Sequence, residues 1–517
     1  MNFKNLLLTA VMLLSLAATA QSRKVYNVSD YGVVADGTTL NTTSIQSLID
    51  KASKKGGGQV VFDSGDYLTG MLMLKSNVEI YLKKGATILG STNPRHYQNL
   101  ESKQAAGDGE EQRNDNSKMA LIAAHDCKNI AIKGEGTIDG QGLKLALTVD
   151  SLHHAGEMID PRYNMFRMRP NETMRPKLFF ISECENIEIE GVHLRNSACW
   201  GLTFDLCRNL TINRIDMLNR AYWNNDGIDV TDSYNVRITN SNINAADDGI
   251  CLKSYHTDAF NDQIYIADCT IRSSASAIKF GTASWGGFKN VTIERIKVID
   301  TYRSAIAIES VDGGDIENIV VRDIEAYNTG NALFIRRGHR AGEAPGVVKN
   351  IHISRMYVEV PFDRPDSNYD LRGPSVTYVH NIHPAPITGI TGYNIEDVTL
   401  EDIEIVYPGR ATKGMAYVPL NRLDSIDEKA KNYPEFSVFG ELPSWGFYIK
   451  NVDNITMKNV TLRLKDEDFR PAFVLHNVGE VTLSDVSMPK GEDKSQIILK
   501  NVGGYSIENQ DEIEIIE

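Results

Sequence analysis

A phrase of the form Asn-apolar-x-apolar recurs along this chain and constrains its fold more than any other feature. It stands as NIAIKG at 129, NIEIEG at 186, NLTINR at 209 and NVRITN at 235. It returns as NVTIER at 290, NIVVRD at 318, NIHISR at 350 and NITMKN at 454. With another polar leader it reads QIYIAD at 263 and DVTLED at 397. From 186 to 318 the steps are 23, 26, 28, 27 and 28 residues. Each phrase alternates apolar and polar positions, the period of a half-buried strand, and a second short strand follows it, as in NIEIEGVHLRNS. Units of this length cannot bury an apolar face alone and must stack on their neighbours. The expected fold is therefore all-β: a right-handed parallel β-helix with one coil per unit, on the order of ten coils in all. The leading Asn residues would form a ladder at a turn.

The flanks fit a solenoid. TTSIQSLIDKASKKGG, residues 42–57, is the one convincing amphipathic helix and would cap the open first coil. The period breaks near 95–120, 143–175, 360–393 and 408–445; these polar, Pro-containing stretches are expected to be loop insertions, which on a solenoid tend to line the binding face. The mature chain, residues 21–517, is read as one β-helix domain. Before it, MNFKNLLLTAVMLLSLAATAQ has the basic start, apolar stretch and small-residue end of an export signal, with cleavage expected after Ala20. No later apolar run is long enough to span a bilayer, so the protein is expected to be exported and soluble, in the periplasm or outside the cell. Oligomeric state is not legible.

A net charge of -14 argues against a nucleic-acid partner, which would call for a basic face. It leaves an anionic sugar open, because a local basic pocket can sit on an acidic protein. Of the six cysteines, Cys127, Cys184 and Cys207 each precede an Asn by two residues. Equivalent places in a repeat point to a stack of small buried thiols instead of disulfides.

Two phrases carry the candidate chemistry. WNNDGIDV contains Asp226, and NAADDGICLKS contains Asp247 and Asp248. Both follow the second strand of their units, so they fall at similar places on successive coils, whose strands lie about 4.8 Å apart. Acidic residues between strands also serve as solvated turns or calcium sites. Here both phrases run straight into apolar strand residues, which places the carboxylates at strand edges on one wall. Glycoside hydrolysis uses such a set, with one protonated acid for the leaving oxygen and one ionised base for water. Repulsion between neighbours raises one pKa and supplies the acid. Separation across coils favours an intervening water and hence inversion. No phosphate-binding loop, nucleophile elbow or Cys/His metal cluster stands out, and the proposed chemistry needs no cofactor.

The chain resembles glycoside hydrolase family 28, the polygalacturonases and their rhamnogalacturonan-cleaving relatives. Asn224-Asn225-Asp226 is similar to the family's Asn-x-Asp motif and Asp247-Asp248 to its Asp-Asp motif. VSDYGVVADGTTLNTTSIQ, GGGQVVFDSGDYLTG, GEGTIDGQG and RPKLFFISECENIEIEGVHLRNSACWGL extend the likeness over most of residues 25–340. The resemblance implies a right-handed parallel β-helix that inverts at the anomeric carbon of a pectic substrate. It makes Asp247 the general acid, Asp226 and Asp248 the residues that hold and activate water, and Asn224 the residue that orients them.

Two family motifs are missing. Where Gly-His-Gly is expected the chain reads SSASAIKFGT, with Ser276 in place of the His. Where Arg-Ile-Lys is expected it reads AIAIES, with Ala307 and Glu309 in place of the cations. The same acid chemistry on a different sugar or linkage is the natural reading. Lys253 and Lys279 are candidates to meet a substrate carboxylate or hydroxyl, or are solvated strand ends. Glu309 is placed to accept from a sugar hydroxyl. Arg336, in the cationic run LFIRRGHR with Arg337, His339 and Arg340, would pair with an acidic sugar or sit in a solvated turn. His256 follows the Asp-Asp strand and is a near-site candidate. Trp223 would stack on a sugar ring, while Trp200 and Trp285 read as packing. Two other functions stay open on this fold: a calcium-dependent polysaccharide lyase, and a carbohydrate-binding β-helix without turnover.

Overall fold

The protein was analysed as a computed structural model that describes residues 24–101, 117–363, 365–366, 381–490, 495–508 and 513–516. The expected export signal and its cleavage site lie outside these residues, as do parts of the insertions expected near 95–120 and 360–393.

The chain forms a right-handed parallel β-helix. Among the described residues, 30 strands join in one continuous, parallel-paired surface. The Asn ladder is there and has a conformational cause. Asn129, Asn186, Asn209 and Asn235 have φ between 55° and 58°, a left-handed corner that costs most side chains about 1–2 kcal/mol but suits Asn. Each side chain then bonds to its equivalent on the coil before. Asn186 Nδ2 donates to Asn129 Oδ1 at 2.9 Å, Asn209 to Asn186 at 3.0 Å and Asn235 to Asn209 at 2.8 Å. Gln263 takes the same corner with φ 57°.

Inside the coils, aliphatic residues stack in register. Ile228 lies over Ile250, Ile250 over Ile278 and Ile278 over Ile306, and all four are fully buried. Each such side chain contributes about 1.5–3 kcal/mol of burial. The six cysteines are free and buried, with the Cys127 amide donating to Cys184 Sγ at 3.3 Å. The first coil is capped by α1, Thr42–Lys54, which turns Ile45, Leu48, Ile49 and Ala52 inward. Among the described residues no helix is long and apolar enough to cross a membrane.

Regular structure appears inside the expected insertions, as short helical turns at Lys413–Ala416 and Leu420–Ser425 and as longer elements in two others. Residues 143–175 are not loop alone: α2, Gly142–His154, packs Leu145, Ala146 and Val149 inward. It has no side-chain cap and carries Thr, Val, Asp and Ser, weak helix formers, so its apolar pattern drew no notice. The stretch read as 360–393 contains the strand Ala385–Thr388, which pairs with Ile335–Arg336 on one side and Phe447–Lys450 on the other. It is short and follows a Pro-rich approach, which hid it.

Candidate active site

One sheet of the solenoid carries the site. Its strands include Lys177–Ser182, Leu202–Asp205, Ile228–Thr231, Ile250–Ser254 and Ile278–Ser284, and it continues through the ends of Gly287–Ser310 and Asp315–Arg337. Alternation sends Ile228, Ile250 and Ile278 inward and leaves Asp229, Cys251, Lys279 and Ala307 in one outward row. The aspartates stand where chain turns into these strands. Gly227 N donates to Asp248 O at 2.9 Å and Gly249 N to Ser276 O at 2.9 Å, so Asp226 and Asp248 occupy equivalent places one coil apart.

The Asp-Gly pairing in both phrases follows from close packing between coils. A Cβ on Gly227 would lie 2.3 Å from Gly249 O, and one on Gly249 would lie 2.6 Å from Ala277 O. Asn225 pins the turn: its Nδ2 donates to Ser197 O and Cys199 O, and its Oδ1 accepts from Tyr222 N. The Asn225 carbonyl in turn accepts from Asp247 N at 3.2 Å. Backbone bonds thus bring the three aspartates together.

Their charges are set by neighbours. All three are nearly buried, at 3, 6 and 5% exposure for Asp226, Asp247 and Asp248. Burial, and then the adjacent Asp248, push Asp247 up to about 7. Burial would also raise Asp248, but Lys279, Arg303 and the Ser276 amide outweigh it and hold Asp248 below the usual carboxylate value. The amide bond is 3.0 Å and Lys279 Nζ stands 3.4 Å from Asp248 Oδ2. Lys253 Nζ lies 3.2 Å from Asp226 Oδ2 and 3.1 Å from Asp229 Oδ1. Burial opposes its charge, yet the two carboxylates hold it protonated, well above the ordinary lysine value. Its ammonium also sits 3.4 Å above the Trp200 ring centroid, a cation–π contact.

The other sequence candidates separate into groups. Lys253 and Lys279 are not solvated strand ends; both are buried against the site carboxylates. Glu309 is buried beside Lys279, and burial pushes it up to about 8. Asn224 does not bond to the aspartates: its Oδ1 accepts from Arg169 at 2.9 Å and Arg175 at 2.8 Å. Trp223 is half-buried with the Arg169 guanidinium 4.6 Å from its ring. His256 is buried and its ring bonds to Asp205 at 3.2 Å. Arg336 is neither in a solvated turn nor open to a substrate. It is buried and donates to Thr388 Oγ1 and the Glu428 carbonyl, fastening the late insertion to the sheet.

Several site residues escaped the sequence reading. Asp229 lies in the quoted phrase WNNDGIDV, and strand alternation from Ile228 would have marked it as outward. Arg303, whose Nε is 2.6 Å from Glu435 Oε1, and Tyr433, whose Oη is 2.8 Å from Lys279 Nζ, carry no local signal. Tyr433 and Glu435 arrive from the insertion near 408–445, and with them Phe436. Phe436 packs on Ala307 and Phe334, paired residues of neighbouring coils. One described group could hold a cation by spacing: Asp205, Asp232 and His256, with ligand atoms within 4.8 Å of one another. Asp232 already accepts from Ser254 Oγ and from the Tyr255 and His256 amides, which accounts for it as a structural hydrogen-bond centre.

Comparison with known proteins gives the family and the fold. The model of the family described as "Glycosyl hydrolases family 28" matches residues 65–425. A "Probable polygalacturonase" of Vitis vinifera is 28% identical over 332 residues, 63% of this chain and 59% of the relative, so less than two thirds of that protein is matched. An "Exo-poly-alpha-D-galacturonosidase" of Dickeya chrysanthemi is 28% identical over 479 residues, 85% of this chain and 74% of its own length. Among solved structures, a hyperthermoactive exopolygalacturonase from Thermotoga maritima superposes with TM-score 0.60 at 21% identity, covering 85% of this chain and 92% of that one. At that identity the likeness speaks for the fold.

Proposed function

Because the chain belongs to glycosyl hydrolases family 28, we propose that it is an exported, inverting hydrolase of a pectic oligo- or polysaccharide, of galacturonate or rhamnogalacturonan type. One observation carries the reading: two adjacent carboxyls, Asp247 and Asp248, are driven in opposite directions, the first up to about 7 and the second below its usual value. Hydrolysis needs that division.

Asp247 holds the proton and gives it to the glycosidic oxygen as the bond to the anomeric carbon breaks. Asp248, ionised beside Lys279, takes a proton from the water that attacks the opposite face, with Asp226 holding that water from the neighbouring coil. The new C–O bond forms opposite the one that breaks, so configuration inverts. Asp229 and Lys253 fix Asp226, and Arg169 with Arg175 fix Asn224 and the turn that carries it. Trp223 and Glu309 are the remaining candidates for contact with sugar. Lys253 already pairs with Asp226 and Asp229, and Lys279 with Asp248, which weighs against a calcium ion and a lyase mechanism. Phe436 over Ala307 and Phe334 supports attack at a chain end, in line with the exo-acting names among the relatives.

The test is product release from a panel of pectic oligosaccharides, with Asp247→Asn as control and the anomer followed by NMR. Hydrolysis with inverted product that the substitution abolishes supports the assignment. An unsaturated, ultraviolet-absorbing product or loss of activity with a chelator would instead indicate a lyase, and binding without turnover a carbohydrate-binding module.

A further inference from the structure

Among the described residues the most exposed large apolar side chain is Phe166, at 93%. Met165 and Met168 beside it are 69 and 58% exposed. The segment that carries them is firmly held. Asn164 N donates to Arg169 O at 3.0 Å and Arg169 N to Asn164 O at 3.2 Å, closing a hairpin over residues 165–168. Asn164 Oδ1 accepts from Arg167 N at 2.9 Å. Met168 takes a left-handed φ of 48°, a conformation that costs such a side chain about 1–2 kcal/mol. At its foot the hairpin is clamped to α2, where the Tyr163 ring stacks on His153 at 4.3 Å and its hydroxyl donates to Asp150 at 2.7 Å. An apolar tip kept in water on a strained, anchored turn gains nothing within the fold and marks a contact surface.

The position and charge of the hairpin point to its occupant. Arg167 and Arg169 lie over the Trp223 ring, at 5.3 and 4.6 Å from its centroid, and Arg169 donates to Asn224. The hairpin therefore borders the turn that delivers Asp226. Phe436 packs on Ala307, next to Ile306, which lies three coils past Ile228, about 14 Å at the spacing of neighbouring strands. A sugar chain that ends near Phe436 and is cut among the aspartates must leave across Trp223 and the hairpin. Arg162, Arg167 and Arg169 fall within eight residues of a chain whose net charge is -14. Arginine pairs with carboxylates, while aromatic and thioether side chains offer apolar surface to the C–H faces of sugars. A polyuronate carries both features on every residue. A second copy of this chain, meeting the hairpin across a two-fold axis, would set like arginines against one another.

We propose that the hairpin 164–169 binds the polyuronate stem of the substrate beyond the sugars that react, with Phe166 and Met165 against sugar faces and Arg167 beside a carboxylate. The inference rests on the reading of Asp226, Asp247 and Asp248 as the hydrolytic site, but it concerns chain binding and can fail separately.

The experiment is calorimetric binding of digalacturonate and octagalacturonate to Asp247→Asn, in which turnover is blocked. Only the octamer is long enough to occupy the cleft and the hairpin together. Met165→Ser with Phe166→Ser, added to that background, changes two exposed side chains, so native circular dichroism is expected. The octamer should lose about fivefold or more in affinity, the size of an aromatic contact, and the disaccharide less than twofold. Arg167→Gln should weaken the octamer and spare its fully carboxyl-reduced form. An octamer that binds the serine variant as well as the parent overturns the proposal. Equal losses for both lengths, equal losses of the two octamers with Arg167→Gln, or no octamer binding at all overturn it too. Sedimentation velocity tests the rival occupant: a native dimer that the serine variant dissociates also overturns the proposal. Turnover by the native chain is scored apart: hydrolysis with no length-dependent loss sinks only the hairpin, and length-dependent loss without hydrolysis sinks only the catalytic reading.

Discussion

Lys279 Nζ lies 3.4 Å from Asp248 Oδ2, and both side chains are buried. With Arg303 and the Ser276 amide, this ammonium holds Asp248 below the usual carboxylate value, while burial and Asp248 push Asp247 up. Replacing Lys279 with Met removes the largest influence that lowers Asp248. Asp248 must be deprotonated to take a proton from water, so activity is present above its pKa and lost as pH falls through it. The acid limb of the kcat/KM profile is expected to move upward by about one pH unit or more, a change of about 1.4 kcal/mol per unit. Stopped assays across the acid range check this; an unmoved limb would separate Asp248 from the base role.

Asp247 has the opposite requirement. A general acid works while protonated, so activity should fall as pH rises through about 7. Asp247→Asn should lower kcat by about 10²–10⁴ and erase that alkaline limb from the residual rate. A substrate with a good phenolic leaving group, which needs no proton, should recover much of the loss. The comparison of the two substrates on one variant is the measurement.

The parts of this molecule written in neighbouring residues were legible. Asn209 with its alternating strand, and Asp226 and Asp247 each at a strand edge within a repeat, needed only the coil period to be placed. Trp223 and His256 were read as near the chemistry by sequence distance; the Arg169 guanidinium lies over the Trp223 ring and the His256 ring bonds to Asp205. Proximity along a coil does not say which way a side chain turns. Tyr433 was out of reach altogether: it meets Lys279 from 154 residues away, through an insertion whose path no local pattern encodes. Helix α2 went unread because its stability comes from packing, not from propensity.

The ladder can be probed without touching the site. Asn209 both donates to Asn186 and accepts from Asn235, at φ 56°. Asn209→Ala loses both bonds and strains the corner, and is expected to destabilise by about 2 kcal/mol. Asn209→Gly loses the bonds but suits the corner, so it should recover about 1 kcal/mol. Denaturant titration of the three proteins reads the difference, and equal midpoints for Ala and Gly would remove the conformational part of the argument.

The last prediction concerns where along a polymer the enzyme acts. Phe436 packs on Ala307 and Phe334, and Ala307 lies one coil past Lys279, so a chain running along the coils on that face would meet it. Truncation to Ala at this buried ring costs about 3–5 kcal/mol in a tight core, although an insertion that rearranges locally will lose less. Phe436→Ala should therefore fold, as thermal melting will confirm, and should open that end. Native protein is expected to release short products with little early fall in polymer viscosity. The variant should lower viscosity faster for the same number of new reducing ends, the mark of cuts inside the chain. An unchanged ratio in a folded variant would mean that the barrier lies elsewhere in the insertion.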